Sequence, residues 1–205
     1  MKISIIVEGN TERVFMSHLR SFLQGKLPGR MPALDPFPYH GRIPTGKKLQ
    51  RVVGGLLDDR RAPADHVIAL TDVYTGSQPR DFSNAEEAKN KMRQWVGEEP
   101  RFHPHAAQYD FEAWLLPYWP TIQRLARHNR AAPTGNPELV NHENPPAHRI
   151  NEIFKIGGCR DSYIKPRDAD RILRDNDLLV AVRQCSELKA FVNTIISVCD
   201  GTVIP

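Results

Sequence analysis

The sequence predicts an α/β fold, a small and mainly parallel sheet flanked by helices, with a helical extension toward the carboxyl terminus. Two short runs of apolar, largely β-branched residues, at 3–7 and 66–71, are typical of strands that are covered on both faces. A segment of helical periodicity separates the two runs, as a parallel crossover requires. Beyond about residue 147 the apolar positions recur mostly at helical spacing.

Length and composition limit the classes of protein that are compatible with this chain. Its 205 residues can bury one good hydrophobic core. The formal net charge of +4 permits contact with phosphates, but the basic residues are scattered along the chain. Cys159, Cys185 and Cys199 lack paired zinc spacing, and their odd number argues against a complete disulfide framework. We expect a cytoplasmic protein with no signal peptide and no membrane span.

A loop-rich segment divides the chain into two predicted parts. Prolines and glycines cluster between residues 130 and 146, and this composition marks a boundary. We expect residues 1–128 to form the α/β core. Residues 129–205 are expected to form the loop-rich segment and a helical extension that packs on the core as one compact unit.

The first predicted strand stops abruptly at Glu8. Gly9 permits a tight exit, and Asn10 or Thr11 can cap the helix that follows. Glu8 therefore emerges at the carboxyl edge of the sheet, where α/β proteins bind ligands. Glu12 falls in the first helical turn, where it either stabilises the helix dipole or contributes to a metal site.

Residues 24–46 contain five prolines, and we predict a loop or an irregular excursion there. The sequence GRIPTGKK at 41–48 is close to a phosphate-binding P-loop. Lys48, however, occupies the place of the magnesium-binding Ser or Thr, and no buried strand precedes the motif. We therefore expect no nucleotide site and predict a helix that Thr45 caps and that runs to Leu57.

The second apolar run ends at Asp72 and repeats the pattern of the first. A right-handed crossover between two parallel strands places Glu8 and Asp72 at the same edge of the sheet. If the strands are adjacent, the two carboxylates lie about 4–8 Å apart. Because hard divalent ions such as Mg²⁺ and Mn²⁺ take oxygen ligands, the two acids predict a metal site.

A third junction carries two more acids. Residues 83–96 are predicted as an amphipathic helix, and the chain then starts extended and becomes helical near Phe111. Asp110 and Glu112 lie at this change. They either stabilise the first helical turn or complete the acidic site with Glu8 and Asp72.

Two histidines precede this junction. His103 and His105 would share one face of a strand, as a zinc pair does. Because Pro104 separates them and no third ligand is evident, contact with solvent or phosphate is the favoured interpretation.

The remaining chain is predicted to be largely helical. We expect helices over residues 147–156, 167–174 and 178–198. Between the first two, Tyr163 to Pro166 is predicted to form a turn.

Five short motifs follow one another in a characteristic order: VEGNTE at 7–12, LTDVY at 70–74, YDFEAWLL at 109–116, a Pro-Pro pair at 145–146, and Tyr-x-Lys at 163–165. In this order they resemble a Toprim-like family of unknown function that is often encoded beside an ATPase. The family is related in fold to the overcoming-lysogenization-defect nucleases. The resemblance implies a Toprim-like sheet, a defence role and an ATPase partner. It also implies that Glu8 and Asp72 are the family's acids and that Lys165 points back toward them.

One residue departs from the Toprim pattern. Toprim domains usually carry Asp-x-Asp at the second strand, whereas Tyr74 takes the second acidic position in this chain. A phenol is a poor ligand for a hard metal at neutral pH. Another carboxylate must complete the site, for which Glu112 is favoured over Asp110 because of its longer side chain, or catalysis has been lost.

These inferences predict a magnesium- or manganese-dependent nuclease that acts on DNA or RNA. Glu8, Asp72 and one of Asp110 or Glu112 would hold the ion, and Glu12 could bind a second one. Lys165 would neutralise charge that develops on the scissile phosphate, or it is a solvated surface lysine. Two alternatives stay open: a non-catalytic sensor or partner module of an ATPase, and phosphoryl transfer on a small substrate.

Overall fold

The computed structural model describes residues 1–74, 80–140, 144–158 and 162–205. Within these ranges the strands form one all-parallel sheet in the order β2-β1-β3-β4. The strands are β1 (Lys2–Val7), β2 (Ala33–Pro38), β3 (His66–Asp72) and β4 (Phe102–Ala107). The parallel sheet with flanking helices confirms the predicted fold class.

Helices cover both faces of the sheet and make up most of the chain after β4. The α-helices are α1 (Asn10–Leu23), α2 (Gly46–Leu57), α3 (Ala85–Val96), α4 (Trp119–Ala126), α5 (Pro146–Ile156), α6 (Lys165–Arg174), α7 (Leu178–Gln184) and α8 (Ser186–Val198). Two 3-10 helices span Phe111–Tyr118 and Pro137–Leu139. None of the helices in the described ranges combines the length and the hydrophobicity that a membrane crossing needs.

The interior position of β1 explains its continuous apolar sequence. Ile3 and Ile5 belong to a large hydrophobic cluster with α1 and the carboxyl-terminal helices, whereas Ile6 belongs to a second cluster with α2 and α3. Successive side chains of a strand point to opposite faces, and both faces of β1 are covered. The large cluster joins residues from both predicted parts of the chain, for example Phe15 and Phe191, whose ring centroids lie 6.4 Å apart. The boundary at residue 128 itself stays a prediction.

The prediction of an irregular segment at 24–46 is wrong for residues 33–38, which form the edge strand β2. The Ala33 amide donates to the Met1 carbonyl and the Tyr39 amide to the Val7 carbonyl, so odd-numbered amides face β1. Pro36 and Pro38 therefore fall in the alternate positions, whose amide side faces away from the sheet. An edge strand tolerates proline there because no ladder hydrogen bond is lost.

The single helix predicted over 178–198 is interrupted at Cys185, which separates α7 from α8. Cys185 is buried and has extended backbone angles, φ −117° and ψ 107°. The distant Glu138 carboxylate accepts hydrogen bonds from the Glu187 amide at 3.1 Å and from the Ser186 hydroxyl at 2.8 Å. Glu138 thereby accepts from a backbone amide that has no partner within the first turn of α8. Hydrophobic periodicity alone could not reveal this contact.

The helix starts at α6 and at α1 differ from the sequence analysis. The predicted turn from Tyr163 to Pro166 is wrong for Lys165 and Pro166, because α6 begins at Lys165 and a proline is tolerated in the first helical turn. Thr45 is the N-cap residue of α2, as predicted, although its side chain makes no capping hydrogen bond. At α1 the N-cap is Gly9 rather than Asn10 or Thr11. The Gly9 amide donates to the Glu12 carboxylate at 3.1 Å, which places that acid at the helix start.

Gly157 ends α5 where the chain passes very close to α4. A Cβ atom at this position would lie 1.8 Å from the carbonyl oxygen of Ala126, which is a backbone atom that cannot move alone. We expect Gly157→Ala to destabilise the protein by about 2–3 kcal/mol, measured by urea unfolding. Gly55→Ala is the matched control: it lies in α2 with no heavy atom within 4 Å of the added methyl, and should stabilise the protein by about 0.5–1 kcal/mol. Equal effects of the two substitutions would contradict the close approach.

Candidate active site

The two central strands, β1 and β3, bring Glu8 and Asp72 together. Because β1 and β3 are parallel neighbours, with Ile6 opposite Ala69, their carboxyl ends meet at one edge of the sheet. The Asp72 amide donates to Glu8 Oε1 at 3.1 Å, and Thr71 Oγ1 donates to the same oxygen at 2.5 Å. Glu8 is therefore held in one orientation by two donors from β3.

The first turn of α1 adds a third acid to this edge. Glu12 is buried, and its carboxylate accepts the hydrogen bond from the Gly9 amide. Burial raises the pKa of Glu12, and the nearby Glu112 carboxylate raises that pKa further. Burial and the hydrogen bond from Gly9 place Glu12 in the protein interior at this edge of the sheet.

The junction after β4 adds Asp110 and Glu112. Tyr109 has φ 73°, a left-handed conformation that bulky residues rarely adopt, and it turns the chain from β4 into the 3-10 helix. Asp110 Oδ2 accepts a hydrogen bond from the Ala147 amide at 3.1 Å, whereas Oδ1 is buried without a hydrogen-bond partner in the described part of the chain. Glu112 is fully buried and accepts from Lys165 Nζ at 3.1 Å and from the Tyr163 hydroxyl at 3.4 Å.

Lys165 places a positively charged ammonium group in contact with one of these acids. It is the first residue of α6, and its side chain is half exposed while its ammonium group contacts the buried Glu112. Burial by itself would lower the lysine pKa, but the carboxylates of Glu112, Asp110 and Asp72 raise it above its ordinary value. Lys165 is therefore a cation across the physiological pH range.

We call these five side chains the acidic cluster: Glu8, Glu12, Asp72, Asp110 and Glu112. Burial raises the pKa of Glu8 to about 7 and that of Asp110 to about 7, and it raises the pKa of Asp72 well above its usual range. Neighbouring acids of the cluster raise all three pKa values further. Full ionisation of the cluster is therefore unfavourable in the absence of a cation, because the acids are buried and close to one another.

The residues of the cluster fit a hard divalent cation by charge and by ligand type. Within the described ranges, no group of three His, Cys, Asp or Glu side chains is arranged closely enough to hold one ion. Glu8, Glu12 and Glu112 each bond to a donor of the protein, and mutual repulsion favours such separate partners. All the potential ligands are carboxylate oxygens, and the unpartnered Oδ1 of Asp110 is a buried acceptor that a cation would satisfy.

The position of the missing Toprim acid is filled by aromatic packing. The Tyr74 amide donates to the Tyr109 carbonyl at 2.7 Å, and the centroids of the two tyrosine rings lie 5.3 Å apart. The guanidinium of Arg80 lies 4.3 Å from the centre of the Tyr74 ring. Burial raises the pKa of Tyr74, so the phenol is neutral and does not replace a carboxylate.

The sequence analysis missed two residues beside Glu8. Thr71 was part of a motif but received no role; its signal is a polar side chain within an otherwise apolar buried run. Arg42 lowers the pKa of Glu8, opposing the effect of burial, and forms a 2.6 Å ion pair with Asp81. Arg42 lies in the GRIPTGKK segment, to which the sequence analysis assigned no site, and Asp81 lies in no motif, so only the folded chain reveals their proximity to Glu8.

The two histidines of β4 do not act as a pair. His103 Nε2 lies 3.1 Å from Nδ1 of His66 on β3, whereas His105 is buried and lies 3.0 Å from the Thr194 hydroxyl on α8. Burial lowers the pKa of His105 to about 3, so this side chain is neutral. The arrangement places His105 in the protein interior instead of in contact with solvent or phosphate. Cys159, the first of the three cysteines, lies outside the described residues.

Comparisons with known proteins agree with this geometry at the level of fold. A family model described as a domain of unknown function, DUF4276, matches residues 7–196. The C-terminal region of the Burkholderia pseudomallei OLD protein is similar with a TM-score of 0.53 and 12% identity, over 96% of this chain and 98% of that one. The C-terminal region of the Xanthomonas campestris pv. campestris OLD protein has a TM-score of 0.47 and 13% identity, over 95% and 93%. A search of curated proteins found no match. The Burkholderia structure shows the shared fold.

Proposed function

The chain belongs to the DUF4276 family, and from this premise we propose that it is a divalent-metal-dependent nuclease. The observation that carries the proposal is the acidic cluster at the carboxyl edge of a parallel sheet, with the Lys165 ammonium beside it. The fold shared with the C-terminal region of an OLD protein supports this assignment. A site of carboxylates with one lysine suits chemistry on an anionic phosphodiester.

We assign the ligand role to the acids that face one another across three strand ends. Glu8, Asp72 and one of Asp110 or Glu112 would hold a Mg²⁺ or Mn²⁺ ion, and Glu12 could contribute to a second ion. When bound, such an ion activates water as a nucleophile and neutralises charge on the phosphate. Thr71 and the Asp72 amide fix Glu8 in place, so this acid is oriented before any substrate arrives.

Lys165 has the role of a charge neutraliser on the substrate side. Its ammonium group is bound to Glu112 at 3.1 Å, yet half of its side chain is exposed. A phosphate that enters the site can therefore attract the ammonium without a large movement of α6. A positive charge held beside the scissile phosphate stabilises the charge that accumulates there in the transition state.

The runner-up proposal is a non-catalytic partner module of an ATPase. Tyr74 favours it, because packing of this ring against Tyr109 and Arg80 removes one carboxylate from the Toprim pattern. In that case the acidic cluster would be a remnant without metal affinity. The deciding experiment is incubation of the purified protein with plasmid and with single-stranded DNA in Mn²⁺, with EDTA as the control. Cleavage that EDTA abolishes supports the nuclease; no cleavage and no Mn²⁺ binding support the partner module.

Substitutions in the cluster are expected to weaken Mn²⁺ binding to different degrees. Asp72→Asn and Glu112→Gln should each lower the affinity at least about tenfold, or 1.4 kcal/mol, and Asp110→Asn should lower it less. Glu112 is preferred because its carboxylate already binds one cation, the Lys165 ammonium group. Titration followed by electron paramagnetic resonance measures each affinity. Unchanged affinity in Glu112→Gln, together with a loss in Asp110→Asn, would assign the position to Asp110 instead.

A further inference from the structure

A groove runs along the outer side of the α1 and α6 pair and encloses about 700 Å³. Its lining includes Asn10, Arg13 and Ser17 from α1 and Pro166, Arg167 and Asp170 from α6. The α1 residues lie at positions i, i+3 and i+7, on one face of the helix, and span roughly 10 Å. The groove is open to solvent along the two helices and is not a closed pocket.

One end of this groove adjoins the acidic cluster on both helices. Arg13 directly follows Glu12, and Pro166 directly follows Lys165. Glu12 belongs to the acidic cluster, and Lys165 Nζ donates to Glu112 of the same cluster at 3.1 Å. A chain-like ligand in the groove would thus lead directly into the site.

The charge of the groove is positive. Arg13 is exposed and forms no ion pair or hydrogen bond with any described residue. Arg167 is half exposed and shares the buried Asp168 with Arg171, so several of its five donors are available. Among the described residues of the lining, Asp170 is the one acid; it forms an ion pair with Arg174, and one of its oxygens lies 2.9 Å from Nε2 of His18.

This charge distribution meets a requirement of the proposed function. An acidic cluster repels a polyanion, and a bound cation offsets this repulsion only at the scissile phosphate. The adjacent phosphates of a strand need cations of their own beside the cluster. A small phosphate ester has no such phosphates and would gain nothing from the two arginines.

We propose that this groove binds the backbone phosphates next to the scissile one through Arg13 and Arg167, so that the substrate is a polynucleotide strand. The inference rests on the proposed nuclease function and names its substrate class. The groove acts by binding the strand, and the acidic cluster acts on the bond to be cleaved.

The test compares the double variant Arg13→Ala/Arg167→Ala with the parent protein. Binding of a fluorescein-labelled single-stranded DNA is measured by anisotropy in EDTA, over a range of salt concentrations. We expect at least a tenfold loss of affinity and a salt slope reduced by about 1.4, since each phosphate contact on a single strand contributes about 0.7. Arg13→Lys/Arg167→Lys should restore most of the binding because it keeps the charge.

A second readout separates binding from chemistry. With Mn²⁺, the double alanine variant should lose at least tenfold in kcat/KM on the oligonucleotide but stay within twofold of the parent on bis(4-nitrophenyl) phosphate. The matched control is Arg60→Ala/Arg61→Ala, which removes two exposed arginines near the amino end of β1, where Lys2 Nζ donates to the Ala62 carbonyl. This control should bind and cleave as the parent does.

The outcomes distinguish the groove from the nuclease. If the double alanine variant binds and cleaves the oligonucleotide like the parent, or loses activity equally on both substrates, the groove inference is wrong. If the parent binds the strand through these arginines but cleaves nothing with any divalent ion, the groove inference stands and the nuclease proposal fails.

Discussion

Glu8→Gln is expected to lower Mn²⁺-dependent cleavage of DNA by about 100- to 1,000-fold, a loss typical of removing one preorganised charge from an active site. Glutamine keeps the shape of the side chain and an oxygen that can accept from Thr71 and from the Asp72 amide. It removes only the negative charge. The loss should therefore appear in kcat and in Mn²⁺ affinity, while circular dichroism stays that of the parent.

The control for this substitution is Glu98→Gln, which removes an exposed acid from the turn between α3 and β4. Its cleavage rate should equal that of the parent. Cleavage by Glu8→Gln at the parent rate would place the chemistry elsewhere or identify a contaminating nuclease. A fall in activity in both variants would indicate a general effect of net charge.

Glu8→Gln is also expected to stabilise the metal-free protein at pH 8 and not at pH 5. The pKa of Glu8 rises from 4.5 in the unfolded chain to about 7 in the folded one, because burial disfavours the charged form. The folded protein therefore binds the proton more tightly than the unfolded chain. The stability that this provides is complete below pH 4.5 and is lost as the pH rises through 7.

The expected size of this effect is about 1–3 kcal/mol at pH 8, or roughly 2–12 °C in Tm for a chain of this length. Scanning calorimetry in EDTA at both pH values measures it. Asp110→Asn should behave similarly, since burial also raises the pKa of Asp110 to about 7. Added Mn²⁺ should stabilise the parent more than Glu8→Gln at pH 8. A stabilisation of equal size at pH 5 and pH 8 would contradict a raised pKa at Glu8.

Local sequence was sufficient for β1, for β3 and for the acids that end them. The β-branched run before Glu8 and the run before Asp72 needed no distant contact to be recognised, because burial on both faces requires continuous hydrophobicity. The crossover rule placed both acids at one edge of the sheet, and the pairing of β1 with β3 and the 3.1 Å hydrogen bond from the Asp72 amide to Glu8 show that the two strands are also neighbours. The proline content led to the wrong prediction at β2. Proline is disfavoured in a strand because it lacks an amide hydrogen, but this does not matter at edge-strand positions whose amide side faces away from the sheet.

The sequence by itself determined which strands are buried and which acids end them, because strand burial and helix periodicity are properties of neighbouring residues. Only the tertiary structure decided which distant side chains meet these acids. Lys165 contacts Glu112, which lies 53 positions earlier in the chain. The Glu138 carboxylate accepts a hydrogen bond from the Glu187 amide, 49 positions later, at the start of α8. Such contacts depend on how α6 and α8 pack on the sheet, and packing is a property of the whole core, which no local pattern encodes.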